Sequence, residues 1–341
     1  MIRDLLPRLH AGGSLTREET AAAVRAMVRG EVGDEEIKAF LLALARRPGG
    51  ETAEEMLGGA EALRAEAVPF PRRPERVLDT CGTGGDGSHS YNISTAAALV
   101  AAAAGVPVAK HGNRSVSSRS GSADVLEALG ANIELGPESA SRALEETGFT
   151  FLNARRFHPA MRHVAKARAE LKIRTLFNWL GPLANPARAT HQLVGVADGN
   201  RARSVAEVLT RLGVTRALVV HGAGGLDELS LETGNIAYEL GRSRVNEPMT
   251  IEAGALGLGA ADPVSLRGGD PEVNAAIVRA VLSGERGPRR DALVLNAAAA
   301  LWIAGKAPTL HEGVEEAQES IDSGRALRLL ERFVTVSRTL G

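Results

Sequence analysis

Short apolar runs alternate with helical segments between residues 75 and 220, and this alternation restricts the fold more than any other feature of the sequence. The strand-like runs lie at residues 77–79, 106–109, 149–151, 193–196 and 217–220. Strands that alternate with helices are joined by crossover connections. The pattern therefore predicts an α/β domain with a mainly parallel central sheet flanked by helices.

The first 70 residues have a different pattern, that of successive helices. Thr16 and Thr52 are suited to cap two of these helices, and Asp34 is suited to cap a third. A proline-rich stretch at 69–74 then reads as a linker, and the pattern from residue 270 onward is helical again. We expect a small all-helical domain in front of the larger α/β domain.

Charge and cysteine content argue against several classes of protein. The net charge is -1, from 40 basic and 41 acidic residues, so no basic excess indicates a nucleic-acid partner. Cys81 is the one cysteine, which excludes an intramolecular disulfide and a cysteine-based zinc site and suits a reducing compartment. No signal peptide is recognised, and the apolar run at 96–108 is shorter than the about 20 residues that span a bilayer. We expect a cytoplasmic protein without a membrane partner.

A glycine-rich loop, Thr-Cys-Gly-Thr-Gly-Gly-Asp-Gly at residues 80–87, follows the first strand. Glycines let backbone N–H groups approach an anion, and the helix that opens at 92–95 adds the positive end of its dipole. The loop lacks the Gly-Lys-Ser/Thr of a Walker loop, and the second strand is not followed by the acidic residue of a dinucleotide site. For this segment alone, pyrophosphate binding and a tight structural turn both remain open.

A second polar loop, residues 110–118, follows the next strand. Because the carboxyl ends of parallel strands share one sheet edge, both loops should face one crevice. Only five of the 40 basic residues are lysines, so Lys110 stands out as a cation for a pyrophosphate. These features favour ligand binding over a solvated basic loop, whereas His111 is equally well explained as a packed or solvent-facing side chain.

Taken together, these segments resemble the donor-binding segments of anthranilate phosphoribosyltransferases. The similarity runs from the first helices to the end, and its motifs lie at residues 82–86, 92–95, 110–114, 121–124, 158–161, 174–178, 180–183 and 185–186. The resemblance implies transfer of the 5-phosphoribosyl group from 5-phosphoribosyl 1-pyrophosphate (PRPP) to the amine of anthranilate. The products would be N-(5-phosphoribosyl)anthranilate and pyrophosphate, in tryptophan biosynthesis.

The resemblance also implies site residues, position by position. The donor would be bound by Gly82, Gly85, Asp86, Ser90, Asn92, Ile93, Ser94, Thr95, Lys110, His111, Gly112, Asn113, Arg114, Ser115, Val116, Ser117, Ser118 and Ser122. Up to two donor-linked Mg²⁺ ions would be held by Ser94, Asp227 and Glu228, although the acid pair alone would read as solvated carboxylates.

On the acceptor side, the resemblance implies that Gly82, Asn113 and Arg168 contact anthranilate, and that Lys110, Asn113 and Arg168 are the catalytic residues. Local sequence alone would make Arg168 a solvated helical side chain. The implied helical domain is 1–70 with a returning segment at about 165–190, and the implied donor-binding domain is 75–164 with 191–341. A homodimer through the helical domain is also implied.

Several observations leave alternatives open. A pyrimidine nucleoside phosphorylase shares the architecture but should be longer, and a non-catalytic nucleotide- or nucleic-acid-binding protein could use the same loops. Arg119 is bulkier than the motif suggests, and the basic stretch 153–157 is unusual before His158; both bear on access of the acceptor. His158 and His163 are five residues apart, which argues against a two-histidine metal site, and Cys81 is best explained as a packed thiol.

Overall fold

The structure, a computed structural model, describes residues 2–115, 119–241 and 244–341. Its α-helices are α1 (Ile2–His10), α2 (Arg17–Val28), α3 (Asp34–Arg46), α4 (Ala53–Ala65), α5 (Ile93–Ala103), α6 (Ser122–Ala128), α7 (Pro137–Thr147), α8 (Ala154–Phe157), α9 (Arg162–Leu171), α10 (Leu176–Leu183), α11 (Ala202–Arg211), α12 (Pro271–Leu282), α13 (Pro288–Ile303), α14 (Leu310–Asp322) and α15 (Arg325–Leu340). Its strands are β1 (Leu78–Gly82), β2 (Val108–Gly112), β3 (Phe149–Asn153), β4 (His191–Gly195), β5 (Arg216–His221), β6 (Asn235–Gly241), β7 (Arg244–Val245) and β8 (Met249–Ile251).

The strands form one mixed sheet in the order β3-β2-β1-β4-β5-β6-β7, with β8 paired to β6. The strands from β3 to β5 run parallel, whereas β6 pairs with β5, β7 and β8 in antiparallel fashion. The predicted mainly parallel sheet is confirmed, but the antiparallel extension was not predicted. The strands β1 and β2 also continue through Gly82 and Gly112, so part of each predicted loop is sheet edge.

Helix starts in the amino-terminal region follow local capping chemistry. The hydroxyl oxygens of Thr16 and Thr52 each accept a hydrogen bond at 3.2 Å, from the backbone N–H of Glu19 and Glu55 respectively. The prediction for the third helix was wrong by one residue, since Gly33 is the N-cap of α3. Asp34 instead lies in the first turn, where a carboxylate still interacts favourably with the helix dipole.

Two hydrophobic cores lie on opposite faces of the sheet because successive side chains of a strand alternate in direction. On one face, Leu193 and Leu218 pack with the core of α5 and α13. On the other face, Val194 and Val219 pack with the core that contains the amino-terminal helices. The sheet is therefore covered on both sides, as parallel sheets require.

The two helices α9 and α10 are distant in sequence from the amino-terminal helices but pack against them. Helix α9 contacts α2 and α3, and α10 contacts α4. The chain returns from α10 to β4 through residues 184–190, while residues 66–77 connect α4 to β1. Within the described residues, none of the helices has the length and apolarity needed to cross a membrane.

Candidate active site

Three chain segments meet at the carboxyl edge of the parallel strands. The backbone N–H of Gly84, in the loop after β1, donates to Asp227 Oδ2 at 2.6 Å. The backbone N–H of Ser94, in the first turn of α5, donates to Glu228 Oε1 at 3.2 Å. The acid pair that follows β5 is thus bonded to both the glycine loop and the adjacent helix start.

Two glycines on adjacent strands allow this close approach. A Cβ atom at Gly82 would overlap the carboxylate of Asp227, and one at Gly195 would overlap the backbone oxygen of the same residue. These strands pair directly, with Gly82 opposite Gly195. Gly82, which belongs to the sequence motif, and Gly195, which does not, are therefore both required by the close approach of Asp227.

The acid pair carries negative charge that is poorly compensated. Burial and the nearby Asp86 raise the pKa of Asp227, and burial and Asp227 raise the pKa of Glu228. Clustered carboxylate oxygens are ligands that suit Mg²⁺, and a divalent cation would relieve their repulsion. In the described part of the chain, no group of three or more His, Cys, Asp or Glu side chains could hold a metal by itself. A metal here would need further oxygen ligands, such as phosphate.

Lys110 lies beneath the first turn of α5 rather than in the open crevice. Its side chain is 2% exposed, donates to the backbone oxygen of Thr80, and lies 3.4 Å from Ser94 Oγ. It also interacts electrostatically with Asp79 and Glu228. The ammonium group is therefore placed as a counter-charge to buried carboxylates, and its predicted contact with a pyrophosphate stays a prediction.

Asp124 organises the second polar loop. Its Oδ2 accepts hydrogen bonds from the backbone N–H of Ser115 at 2.8 Å and of Gly121 at 2.9 Å. Arg114 also bonds to it, at 3.1 Å, and pairs with Glu127 at 2.6 Å, so this guanidinium points at α6. Burial alone would raise the pKa of Asp124, but these donors hold it below its usual value. The predicted site residues Val116, Ser117 and Ser118 lie outside the described residues.

The other predicted donor residues line the same edge in different ways. Asn113 is exposed, and its Oδ1 accepts from the backbone N–H of Arg114 at 2.8 Å. Asn92 is the N-cap residue of α5, and its side chain bonds to Ser120 and to Asn274 instead of to the helix. Gly85 has a φ of 69°, and Asp86 and Ser90 both contact the hydroxyl of Ser88. Ile93 and Thr95 are buried in α5. Gly112 packs against Ser122, whose hydroxyl donates to the backbone oxygen of Asn113.

Arg168 and α10 form the opposite wall. The guanidinium of Arg168 lies 5.3 Å from the centre of the Phe177 ring and has no carboxylate partner among the described residues. Burial lowers its pKa. Arg174, at the start of this wall, donates to the backbone oxygen of Gly84. A desolvated guanidinium without an ion pair is suited to bind a carboxylate, and here it lies on α9, six residues before the arginine that bonds to the glycine loop.

The carboxyl end of α10 is held by side chains from four other segments, which the sequence analysis missed. Four successive backbone oxygens, those of residues 181–184, accept from His111 at 3.2 Å, Gln192 at 2.9 Å, Arg64 at 2.7 Å and His158 at 2.9 Å, in that order. The last carbonyls of a helix have no partner within the helix, so these bonds satisfy them. They attach α10 to both β2 and β4.

Both histidines of this cap are neutral. Burial lowers the pKa of His111 to about 3, helped by neighbouring His158, and lowers the pKa of His158 to about 4. Their rings lie 5.1 Å apart. Because a carbonyl only accepts, His111 must carry its proton on Nδ1, and its buried Nε2 has no partner in the described structure. His111 is thus packed rather than solvent-facing, and its predicted contact with the donor stays a prediction.

Three features that are unusual in the sequence, Cys81, Arg119 and the stretch 153–157, either pack within the site or lie outside it. Burial raises the pKa of Cys81, which favours the packed thiol. Arg119 is exposed and lies 3.9 Å from Asp270. In the stretch 153–157, Asn153 caps α8 and bonds to Glu134 at 2.8 Å, while the two arginines are exposed.

Comparison with known proteins settles the family. Residues 3–67 match the glycosyl transferase family helical bundle domain, and residues 74–327 match the glycosyl transferase family a/b domain. The anthranilate phosphoribosyltransferase of Rubrobacter xylanophilus is 52% identical over 341 residues, which cover 100% of this chain and 98% of that one. The chain belongs to the anthranilate phosphoribosyltransferase family.

Solved structures of the family agree with this fold. The anthranilate phosphoribosyltransferase of Thermus thermophilus is 48% identical, covers 98% of this chain and 99% of its own, and has a TM-score of 0.92. The Saccharomyces cerevisiae anthranilate phosphoribosyltransferase in complex with PRPP and Mg is 28% identical, covers 99% and 98%, and has a TM-score of 0.90. The family assignment and the two-part fold class expected from the sequence are both confirmed.

Proposed function

We propose that this chain transfers the 5-phosphoribosyl group of PRPP to the amine of anthranilate, with release of pyrophosphate. The observation that supports it most is the meeting of the glycine loop, the first turn of α5 and the acid pair opposite a wall that carries an unpaired Arg168. A doubly charged leaving group and an aromatic acid require these two kinds of surface. The yeast family member has also been solved in complex with 4-fluoroanthranilate.

On the donor side, the backbone N–H groups of residues 82–86 would bind the pyrophosphate, and Ser94, Asp227 and Glu228 would hold one or two donor-linked Mg²⁺ ions. The metal, when bound, supplies positive charge that stabilises the departing pyrophosphate. Lys110 would compensate part of the negative charge of the acid pair from its position next to Ser94 in the first turn of α5. The other predicted donor residues would bind ribose and phosphate oxygens.

On the acceptor side, Arg168 would bind the anthranilate carboxylate, and Asn113 with the backbone at Gly82 would orient its amine. The C1–O bond to pyrophosphate breaks as the C1–N bond forms, the bonding electron pair leaves with pyrophosphate, and one amine proton passes to solvent. An aromatic amine is already neutral near pH 7, so no strong general base is required. Catalysis would then rest on positioning and on charge stabilisation.

The domain division proposed with this function is residues 1–70 with about 165–190, against 75–164 with 191–341. The contacts of α9 and α10 with the amino-terminal helices support it. It would place PRPP in the α/β part and anthranilate between the parts, with relative motion of the two. We also propose that the protein is a cytoplasmic homodimer, paired through its helical part, with no nucleic-acid or membrane partner.

The test follows anthranilate by its fluorescence, with PRPP and Mg²⁺ present or omitted. Anthranilate should be consumed only when both are present. Arg168→Ala should raise the KM for anthranilate about tenfold or more and leave the KM for PRPP close to that of the wild type, because one charged hydrogen bond to a carboxylate is lost. Arg162→Ala, which removes an exposed arginine of the same helix, is the matched control and should leave both KM values unchanged. An unchanged KM for anthranilate in Arg168→Ala would exclude this acceptor assignment.

A further inference from the structure

An open cleft of about 1460 Å³ lies at the opposite edge of the sheet from the candidate active site. Its lining includes Pro107, Gly148, Thr190 and Thr215, which come just before β2, β3, β4 and β5 respectively. Both connections between the helical and α/β parts also line it, through residues 67–75 and 186–188. The cleft is therefore distant from the carboxyl ends of the strands and lies where the chain passes between the two parts.

The charged residues that line this cleft are mostly arginines. They are Arg64, Arg72, Arg73 and Arg188, against Glu75 and Glu145. Among the described residues none of these six forms an ion pair, whereas arginines elsewhere do, such as Arg17 with Glu61 and Arg211 with Glu54. The cleft therefore has an excess of positive charge that is not held in ion pairs, although Glu61 interacts electrostatically with Arg64 from outside the lining.

Arg64 is held in place as a rigid donor. Its Nε donates to the backbone oxygen of Leu183 at 2.7 Å, and its Nη1 donates to that of Leu212 at 3.1 Å. Its Nη2 has no partner in the described structure. Burial and the neighbouring Arg188 together lower its pKa to about 10. A guanidinium whose orientation is fixed in advance loses little entropy when it binds an anion.

Arg188 reinforces this feature from the returning segment. It is exposed, and its φ of 49° lies in the left-handed region that disfavours side chains other than glycine. Its guanidinium is close enough to Arg64 for the two charges to repel each other. Two unpaired guanidinium groups that face one cleft from different segments make a site suited to a bridging anion.

We propose that this cleft is a second anion-binding site, for a small molecule that carries two or more phosphate or carboxylate groups. The bound molecule would neutralise Arg64 and Arg188 together, with Arg72 and Arg73 at the rim. It would also link α4, the connection to β1 and the connection to β4. Such a ligand would restrain the two parts of the chain relative to each other without touching the donor site.

The test measures binding of inorganic tripolyphosphate, and separately of citrate, by calorimetry in metal-free buffer, which weakens any metal-dependent binding at the donor site. Arg188→Gly removes the charge and also suits the left-handed backbone, so this variant should fold at least as well as the wild type. We expect its dissociation constant to rise about tenfold or more. Arg64→Met should give a similar rise. Arg203→Ala, which removes an exposed arginine paired with Glu207 at 3.2 Å, should bind like the wild type.

Each result decides the proposal. A stronger effect on tripolyphosphate assigns phosphate groups to the site, a stronger effect on citrate assigns carboxylates, and either supports a built anion site. Equal affinity in the wild type and Arg188→Gly would overturn it. So would an equal loss in Arg203→Ala, which would indicate unspecific charge screening. Binding that is kept in Arg188→Gly but is lost when PRPP is added would place the anion at the donor site and also overturn the proposal.

Discussion

Replacement of His158 by glutamine tests whether the cap of α10 holds its histidines neutral. His158 donates from Nε2 to the backbone oxygen of Ala184 at 2.9 Å, and glutamine offers an N–H donor of similar reach that does not titrate. The ordinary histidine pKa is 6.5, and burial lowers that of His158 to about 4. Between these values the unfolded chain takes up a proton that the folded chain excludes.

Proton linkage sets the direction of the effect. Because the unfolded state binds more protons in this range, the free energy of unfolding falls as the pH falls below 6.5. Near pH 5 the unfolded histidine is almost fully protonated and the folded one is almost fully neutral, which costs about 2 kcal/mol of stability relative to pH 8. This loss should be absent in His158→Gln, whereas groups that do not contact His158 titrate alike in both proteins, and His111, whose pKa is about 3, stays neutral near pH 5.

Urea unfolding near pH 5 and near pH 8 provides the measurement. The wild type should lose about 2 kcal/mol more than His158→Gln between the two conditions, whichever way the remaining groups shift the total. The exposed His10→Gln is the matched control and should follow the wild type. If His158→Gln and the wild type lost the same free energy, His158 would not be held neutral by burial, and the reasoning about the cap would fail.

Two further variants test other parts of the structure. Gly82→Ala would place a methyl group against the carboxylate of Asp227, so turnover of anthranilate should fall about tenfold or more. The control Gly254→Ala, where a Cβ meets nothing within 4 Å, should have no effect. Normal turnover in Gly82→Ala would show that the acid pair need not lie so close to β1. Glu55→Ala would leave the buried Arg47 without the partner that it bonds at 2.7 Å. Thermal or urea unfolding should show that the free energy of unfolding falls by about 3–5 kcal/mol in this variant. The exposed Glu54→Ala is the control and should change it little.

The parallel strands were predictable because strands buried on both faces form short continuous apolar runs. The helix starts at Thr16 and Thr52 were predictable because capping is decided by neighbouring residues. The antiparallel strand β6 was not predictable, because buried and exposed residues do not alternate regularly along it and Ile236 is 42% exposed. Strand β6 is defined by its pairing with β5, β7 and β8 more than by its own composition.

The residues of the glycine loop and the acid pair were identified from their motifs, but their mutual contacts were not. The sequence does not show that Gly82 and Gly195 lie opposite each other, because that follows from the pairing of β1 with β4 across more than a hundred residues. Likewise, the side chains that bond to the end of α10 come from segments between Arg64 and Gln192. Local patterns predict which residues are special, whereas long-range packing decides what they touch.

The cap of α10 also explains how one helix can serve both sides of the site. Its amino end lies beside Arg174, which bonds to the glycine loop, and its first turn carries Phe177, whose ring lies against the guanidinium of Arg168. Its carboxyl end is bonded by His111 to the strand that leads into the second polar loop. Its last four carbonyls accept from three neutral side chains and from the guanidinium of Arg64, so the end of the helix is fixed by four different segments. We infer that the position of Arg168 is therefore set by the same contacts that order the donor loops.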